Sequence, residues 1–288
     1  MAHAISRRFG SKRLLALGFF VLAAIYLFAT RPAPLQAEQA SGRTVPVETV
    51  FRVVAAENDV ARKLWTADIV GAGAKVGLKF HEKWREPAMQ AGPLPALFLR
   101  EASMALQKTR TPLGLFLGSD FPIAQSNKFS GIQADHFARL RQSGEPQFFN
   151  ATDIGRFTAI FPDRAVAPGC VSCHNEHPNS PKTDWKLGDI LGATTWSYPK
   201  ERVSLEELVQ IVGALRASFG AAYDAYLAKV ASFPNPPEIG ERWPAEGYFI
   251  PSKRVFLAEF ERRASANTVE RLLLSLAEAK AASLSAER

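Results

Sequence analysis

Cysteine is almost missing from this chain: Cys170 and Cys173 are the only two among 288 residues. A second pair at finger-like spacing, which a structural zinc site would need, does not occur. No internal repeat of solenoid or propeller length is visible. No nucleophile–base constellation and no second metal-ligating cluster stand out, so nothing marks an enzyme. Acidic residues are absent from residues 1–37, where Arg7, Arg8, Lys12, Arg13 and Arg31 are the charged side chains. That asymmetry accounts for most of the formal charge of +7, from 35 basic and 28 acidic residues. With those five bases removed, 30 minus 28 leaves +2. The basic balance therefore reports targeting and argues for no nucleic-acid partner.

The two cysteines stand in the run Cys170-Val-Ser-Cys173-His174. C-x-x-C-H is the pattern by which a chain captures haem covalently: two thiols three positions apart add to the two vinyl groups, and the following histidine becomes the proximal iron ligand. One haem c is expected, with Cys170 and Cys173 as thioether sites and His174 on the iron. With both thiols so engaged, no disulfide staples the fold. Two rival readings use the same thiols, as half of a zinc site or as a dithiol redox pair. A redox C-x-x-C ordinarily opens a helix in a βαβ setting. Here Val166-Ala167-Pro168-Gly169 and Asn175-Glu176-His177-Pro178 read as loop on either side.

Covalent haem attachment implies export, and the N-terminus carries a matching signal. The uncharged run Leu14–Thr30 follows the basic cluster and has seventeen residues, between a signal-peptide core and a spanning helix. Cleavage after Ala37 would place Leu35 at the minus-three position, a poor match to Ala-x-Ala, so an uncleaved anchor is favoured. The positive-inside rule then puts the remainder in the periplasm, held at the inner membrane by one N-terminal helix.

Four regions follow: residues 1–37 as signal peptide or transmembrane anchor, 38–58 as linker and start of the first helix, 59–200 as the haem domain, and 201–288 as a helical C-terminal extension. Helices are expected over Val47–Phe80 and Pro93–Gln107 from their apolar spacing. Gly114–Leu117, Gln147–Phe149, Arg156–Phe161 and Gly192–Tyr198 read as strands. Together they predict an α+β fold with an antiparallel sheet and flanking helices. In the extension, Ser204-Leu-Glu-Glu207 is a capping box opening an amphipathic helix. Pro234-Asn-Pro-Pro237 breaks the chain, and two short helices are expected over Ser252–Arg263 and from Asn267 to about Ala282. The extension reads as a separate unit.

The run Pro168-Gly-Cys-Val-Ser-Cys-His-Asn-Glu-His-Pro-Asn-Ser-Pro-Lys-Thr-Asp-Trp-Lys-Leu-Gly-Asp-Ile-Leu-Gly192 resembles the signature of periplasmic, PAS-like, single-haem c-type domains. The likeness covers roughly Asp59–Tyr198 and includes Ser119–Ile123 and Phe157–Arg164. It implies a PAS-like sheet and a haem carried by Cys170, Cys173 and His174. Members are often coupled to histidine kinases, cyclases or chemoreceptors, and some supply a distal cysteine from an N-terminal helix. This sequence has no third cysteine. His81 is the leading protein ligand for the distal position, ahead of Met89, Met104 and His136, and an open or water-bound iron stands at least level with it. His177 is expected at the turn, Lys182 and Lys186 near the propionates or in solvent, and Trp185 and Trp196 in packing.

Two functions follow as expectations. One is redox or diatomic-gas sensing, passed to a separate signalling partner because no kinase, cyclase or methyl-accepting pattern follows Tyr198. The other is electron transfer, as a monohaem carrier or a subunit of a membrane redox complex.

Overall fold

Alternation organises the centre of the fold. In the strand Arg156–Arg164, Ala159 joins one apolar cluster and Ile160 another, because successive side chains leave a sheet on opposite faces. The neighbouring strand Ile190–Tyr198 behaves alike, sending Trp196 and Tyr198 to the first cluster and Ala193 to the second. A strand covered on both faces is buried along nearly its whole length, and this one carries only small hydroxyl residues, Thr194, Thr195 and Ser197, among its apolar ones.

The computed structural model describes residues 44–244 and 249–286. In chain order these form β1 (Thr44–Pro46), α1 (Val47–Lys63), α2 (Pro95–Leu106), β2 (Gly114–Gly118), α3 (Gly131–Ser143), β3 (Gln147–Ala151), β4 (Arg156–Arg164), α4 (Pro168–Glu176), β5 (Ile190–Tyr198), β6 (Arg202–Ser204), α5 (Leu205–Ala231), β7 (Ile239–Gly240), β8 (Ile250–Pro251) and α6 (Lys253–Ala286). The path of α1 continues through a π-helical stretch, Leu64–Gly71, and a last α turn, Ala72–Lys75. The main sheet runs β2-β5-β4-β3 with every neighbouring pair antiparallel. β1 pairs with β6, and β7 with β8, in two small ribbons. The fold is mixed helix and antiparallel sheet, as expected.

One face of the sheet carries the large core. Its centre is Trp65, stacked on Phe98 at 4.2 Å and met edge-on by Tyr223 and Tyr226. Trp65 comes from the π stretch, Phe98 from α2 and both tyrosines from α5, so three helices lock around one indole. The other face is covered by α3 through Phe137 and Leu140, with Phe129.

Three expectations are corrected. The tail is not a separate unit: Leu208, Ile211, Leu215 and Phe219 of α5 and Phe256 and Phe260 of α6 share one core with Val50, Phe51 and Val54 of α1. Their amphipathic stripes have no other surface to cover. The two expected C-terminal helices are one, continuous through Asn267, since no Gly or Pro separates Arg263 from Thr268 and a mid-helix Asn costs only a few tenths of a kcal/mol. Third, the C-x-x-C-H run is helical: with Pro168, Gly169, Asn175 and Glu176 it forms α4, and the expected loop is confined to Val166-Ala167 and His177-Pro178. Helix α3 and the β1–β6 ribbon went unforeseen. The ribbon includes Thr44–Pro46, which the composition assigned to linker.

No helix among the described residues is long and apolar enough to cross a membrane. The expected signal or anchor, Leu14–Thr30, lies outside the described residues.

Candidate functional site

Strands β4 and β5 are hydrogen-bonded neighbours, yet a long excursion separates them. It is closed at its neck by two backbone bonds, Ala165 N–H to the Asp189 carbonyl (2.9 Å) and Gly188 N–H to the Ala165 carbonyl (2.9 Å). Gly188, at φ +87°, makes the turn that this neck requires. The register of β4 shifts between Asp163 and Arg164, just before the chain leaves the sheet. The C-x-x-C-H run is thus mounted on the two central strands.

Within the excursion, Pro168 opens α4 in the first turn, where its missing N–H costs nothing. His177 N–H closes the helix on the Cys173 carbonyl, and Pro178 biases His177 to its extended conformation, ψ 130°. Helical geometry does the chemical sorting. Cys170, Cys173 and His174 stand at i, i+3 and i+4, so both thiols and the imidazole project from one face. Both thiols are free and partly exposed.

A small apolar cluster supports this helix from below: Ala165, Trp185 and Leu191, with Phe121, Cys170 and Val171 against them. Asn175 fixes the returning segment by a reciprocal pair, its amide donating to the Trp185 carbonyl (3.0 Å) and its carbonyl accepting the Trp185 N–H (2.8 Å). Trp185 in turn meets the His174 ring edge-on at 6.2 Å and 87°. The Nδ1 of His174 is buried with no hydrogen-bond partner, and so is the indole nitrogen of Trp185. Burial lowers the His174 pKa, against a smaller opposing pull from Asp163, so the ring is held neutral. A neutral imidazole is the form that binds a metal. Burial also raises the Cys173 thiol, with the Glu82 carboxylate adding to it. Asp163 is itself ion-paired with Arg62 of α1.

The second wall is the segment Lys79–Gly92. Its ends are zipped by His81 N–H to the Gly92 carbonyl (3.0 Å) and Gly92 N–H to the Lys79 carbonyl (2.8 Å). Gly92 must be glycine, because a Cβ there would lie 2.5 Å from the Tyr226 ring. Trp84 is buried, Arg85 forks onto Glu101 of α2, and Lys229 of α5 donates to the Glu86 carbonyl at 2.8 Å. From this wall Glu82 reaches across to His177, Oε2 to Nε2 2.9 Å. The other nitrogen of His177 accepts the Asn179 N–H at 3.1 Å, so in the neutral ring the proton sits on Nε2 and is donated to Glu82.

The donor set fits a covalently held haem: two free thiols and an imidazole whose Nδ1 lacks a hydrogen-bond partner share one helix face, beside an apolar cluster. Cys170, Cys173, His174 and Trp185 come together as the sequence indicates. His81 sits on the second wall, next to Glu82. Its Nδ1 accepts the Lys83 N–H at 3.0 Å, whereas a ligating histidine ordinarily donates from its second nitrogen. Met89 lies on the same wall, half-buried. Met104 is on an exposed position of α2, and His136 stacks flat on Phe149 at 3.8 Å, serving the α3–β3 contact. Lys182 pairs with Asp184 and lies over the Trp185 ring, 4.6 Å from its centre; Lys186 is exposed. Trp196 is fully buried in the large core. Glu82 and Asn175 were not singled out by sequence. Asn175 directly follows the motif, which is a usable cue; Glu82 lies 95 residues from its partner and carries none.

A family model described as "Tll0287-like: Tll0287" matches residues 47–199, which is 153 of 288 positions. The chain belongs to the Tll0287-like family. The match begins on the first residue of α1 and ends one residue beyond β5, so it takes in the whole main sheet and α4 but neither α5 nor α6. No curated protein and no solved structure matches the chain. Membership assigns no cofactor, and the chemistry rests on the residues of α4.

Proposed function

We propose that this chain is a periplasmic protein carrying one covalently attached haem c in a PAS-like domain, and that it acts as a redox or diatomic-gas sensor signalling through a separate protein. The observation that carries the reading is the shared face of α4, where Cys170, Cys173 and His174 project together and the buried Nδ1 of His174 has no hydrogen-bond partner. Bound there, haem would supply one-electron redox chemistry or a site for a diatomic ligand. Cys170 and Cys173 would hold the macrocycle by thioether bonds, and His174 would face the iron. The first strand of the sheet pairing with the last, with helices over it, supports the PAS-like assignment.

His81 is the proposed distal ligand. Ligation through Nε2 would require its proton to move to Nδ1 and the Lys83 N–H to be released. Anchoring by the N-terminal segment and export to the periplasm belong to the same proposal, because the attachment chemistry needs that compartment. Electron transfer to a redox partner is the alternative function, and the partial exposure of both cysteines favours it, since an accessible edge is what a carrier needs. The dithiol reading gains from α4 being a helix, but Cys173 is pushed away from the low pKa that such chemistry uses.

Spectra of matured protein test the proposal. A haem stain that survives denaturation is expected in the parent and lost in Cys170→Ser, Cys173→Ser; stain retained in that variant refutes covalent attachment at α4. A ferrous spectrum that shifts with carbon monoxide or nitric oxide supports gas sensing, and a low-spin spectrum unmoved by either counts against it. An unaltered coordination spectrum in His81→Ala removes His81 from the iron.

A further inference from the structure

Helix α4 touches two supports of different character. One is the sheet, through the neck and the Trp185 cluster. The other is the Lys79–Gly92 wall, which is secured to α2 by Arg85–Glu101 and to α5 by Lys229 on the Glu86 carbonyl. Among the described residues, one polar contact links that wall to the attachment helix, Glu82 with His177 at the helix's C-terminal end. His177 follows His174 by three residues, and Glu82 follows His81 by one. The contact therefore ties the C-terminal end of the helix bearing the proposed proximal ligand to the segment bearing the proposed distal one.

We infer that Glu82 is a positioning residue: through His177 it holds the Lys79–Gly92 wall against α4 and so sets access to the far side of the iron. This rests on the haem reading. The geometry is suited to holding. His177 is anchored at both nitrogens, by Asn179 N–H and by Glu82, and its side chain is only 14 % exposed, so it is a fixed post. Glu82, 45 % exposed, is the partner with open space around it. Elsewhere the wall is pinned by a buried Trp84 and by ties to two helices, so its rest position is set by the helical layer. Releasing the contact should loosen the wall from α4 without unfolding either.

The strength of the contact bounds the effect. An exposed pair of this kind is worth at most about a fivefold shift in a two-state population. Glu82→Ala and His177→Ala should each raise the rate of carbon monoxide binding to the ferrous haem by roughly two- to fivefold. The double variant should match either single one, because both remove the same contact. The conservative Glu82→Gln keeps an acceptor for the His177 N–H and should lie close to the parent. Thermal melts confirm that the variants remain folded, and a carbon-monoxide rate is a readout that loss of a merely structural bond would not move. Unchanged rates in both single variants, or additive changes in the double variant, overturn the inference. A parent protein that carries no covalent haem refutes the haem reading instead, and the denaturation-resistant stain separates that failure from this one.

Discussion

Removing the guanidinium of Arg216 strands a carboxylate in the core. Glu57 is fully buried on α1 and is held by a two-pronged bond from Arg216 of α5, Nε to Oε2 at 2.8 Å, with the Thr268 hydroxyl of α6 donating to Oε1. Three helices from distant parts of the chain meet on that one group. Arg216→Met keeps most of the aliphatic stem but leaves Glu57 with the Thr268 hydroxyl. Stranding one member of such a pair costs about 3–5 kcal/mol. Whole domains have stabilities of about 5–15 kcal/mol, so a large fraction would be lost. For a domain of this size each kcal/mol moves Tm by about 2–4 °C, which gives a fall of roughly 6–20 °C. The companion variant, Glu57→Leu with Arg216→Met, removes both charges and should recover most of the loss, since a buried pair and an apolar replacement are often near balance. Urea unfolding followed by far-ultraviolet circular dichroism, with melts alongside, reads both. A loss below about 1 kcal/mol in Arg216→Met, or a double variant no better than the single, would refute the claim that the stranded charge is what matters.

Truncation after Lys200 should abolish cooperative unfolding, because Leu208, Ile211, Leu215, Phe219, Tyr223 and Phe256 leave the core with it; limited proteolysis should find no resistant fragment. Asn175→Ala breaks both bonds to the Trp185 backbone and should lower stability by about 1–3 kcal/mol, measured by urea unfolding. Glu259 is held near pKa 2, chiefly by its hydrogen bond from Arg262 and also by Arg263. Because the folded pKa is depressed below 4.5, its contribution is present above pH 4.5 and lost as pH falls toward 2. As Arg262 is 69 % exposed, solvent screening keeps the contribution below about 1 kcal/mol. The difference between parent and Glu259→Gln in urea unfolding should therefore shrink between pH 5 and pH 2.

How much was legible depended on whether the signal was local. The four strands of the main sheet are short apolar runs between turn residues, and each begins at or close to the expected position, with β3 and β4 running two and three residues further. The N-cap of α5 was legible too: Ser204 accepts the Glu207 N–H at 3.1 Å. Only half of that box forms, because the Glu207 carboxylate is taken by Tyr198 and Lys200. The helical state of Pro168–Glu176 was hidden by Pro and Gly at its start, residues that mark loops in general but are tolerated in a first turn. Pairings across long separations, such as Glu82 with His177 and Glu57 with Arg216, leave no trace in local pattern. The thiols and imidazole of the motif were readable as a set; what surrounds them was not.

The separateness expected of residues 201–288 bears on signalling. An appendage on a linker could relay a change at α4 only by recruiting something else. Integrated as they are, α5 and α6 are already mechanically joined to the site. Lys229 of α5 holds the wall that carries Glu82, while Tyr226 of α5 packs against Phe80 at the root of that wall. Farther along, Phe219 of α5 meets Phe260 of α6, and Arg263 of α6 pairs with Asp68 in the π stretch behind Trp65. A displacement of the wall would therefore be felt by packed side chains on both tail helices, which interlock at crystal-like density and shift together rather than deform smoothly. Under the sensing reading, the surface that a partner protein would read is on α5 and α6 and not on the sheet. Val209, 71 % exposed in the second turn of α5, offers a place to test it: a spin label or fluorophore at a Val209→Cys position should report oxidation or gas binding at the haem. A label that is silent to every state of the iron would count against relay through α5.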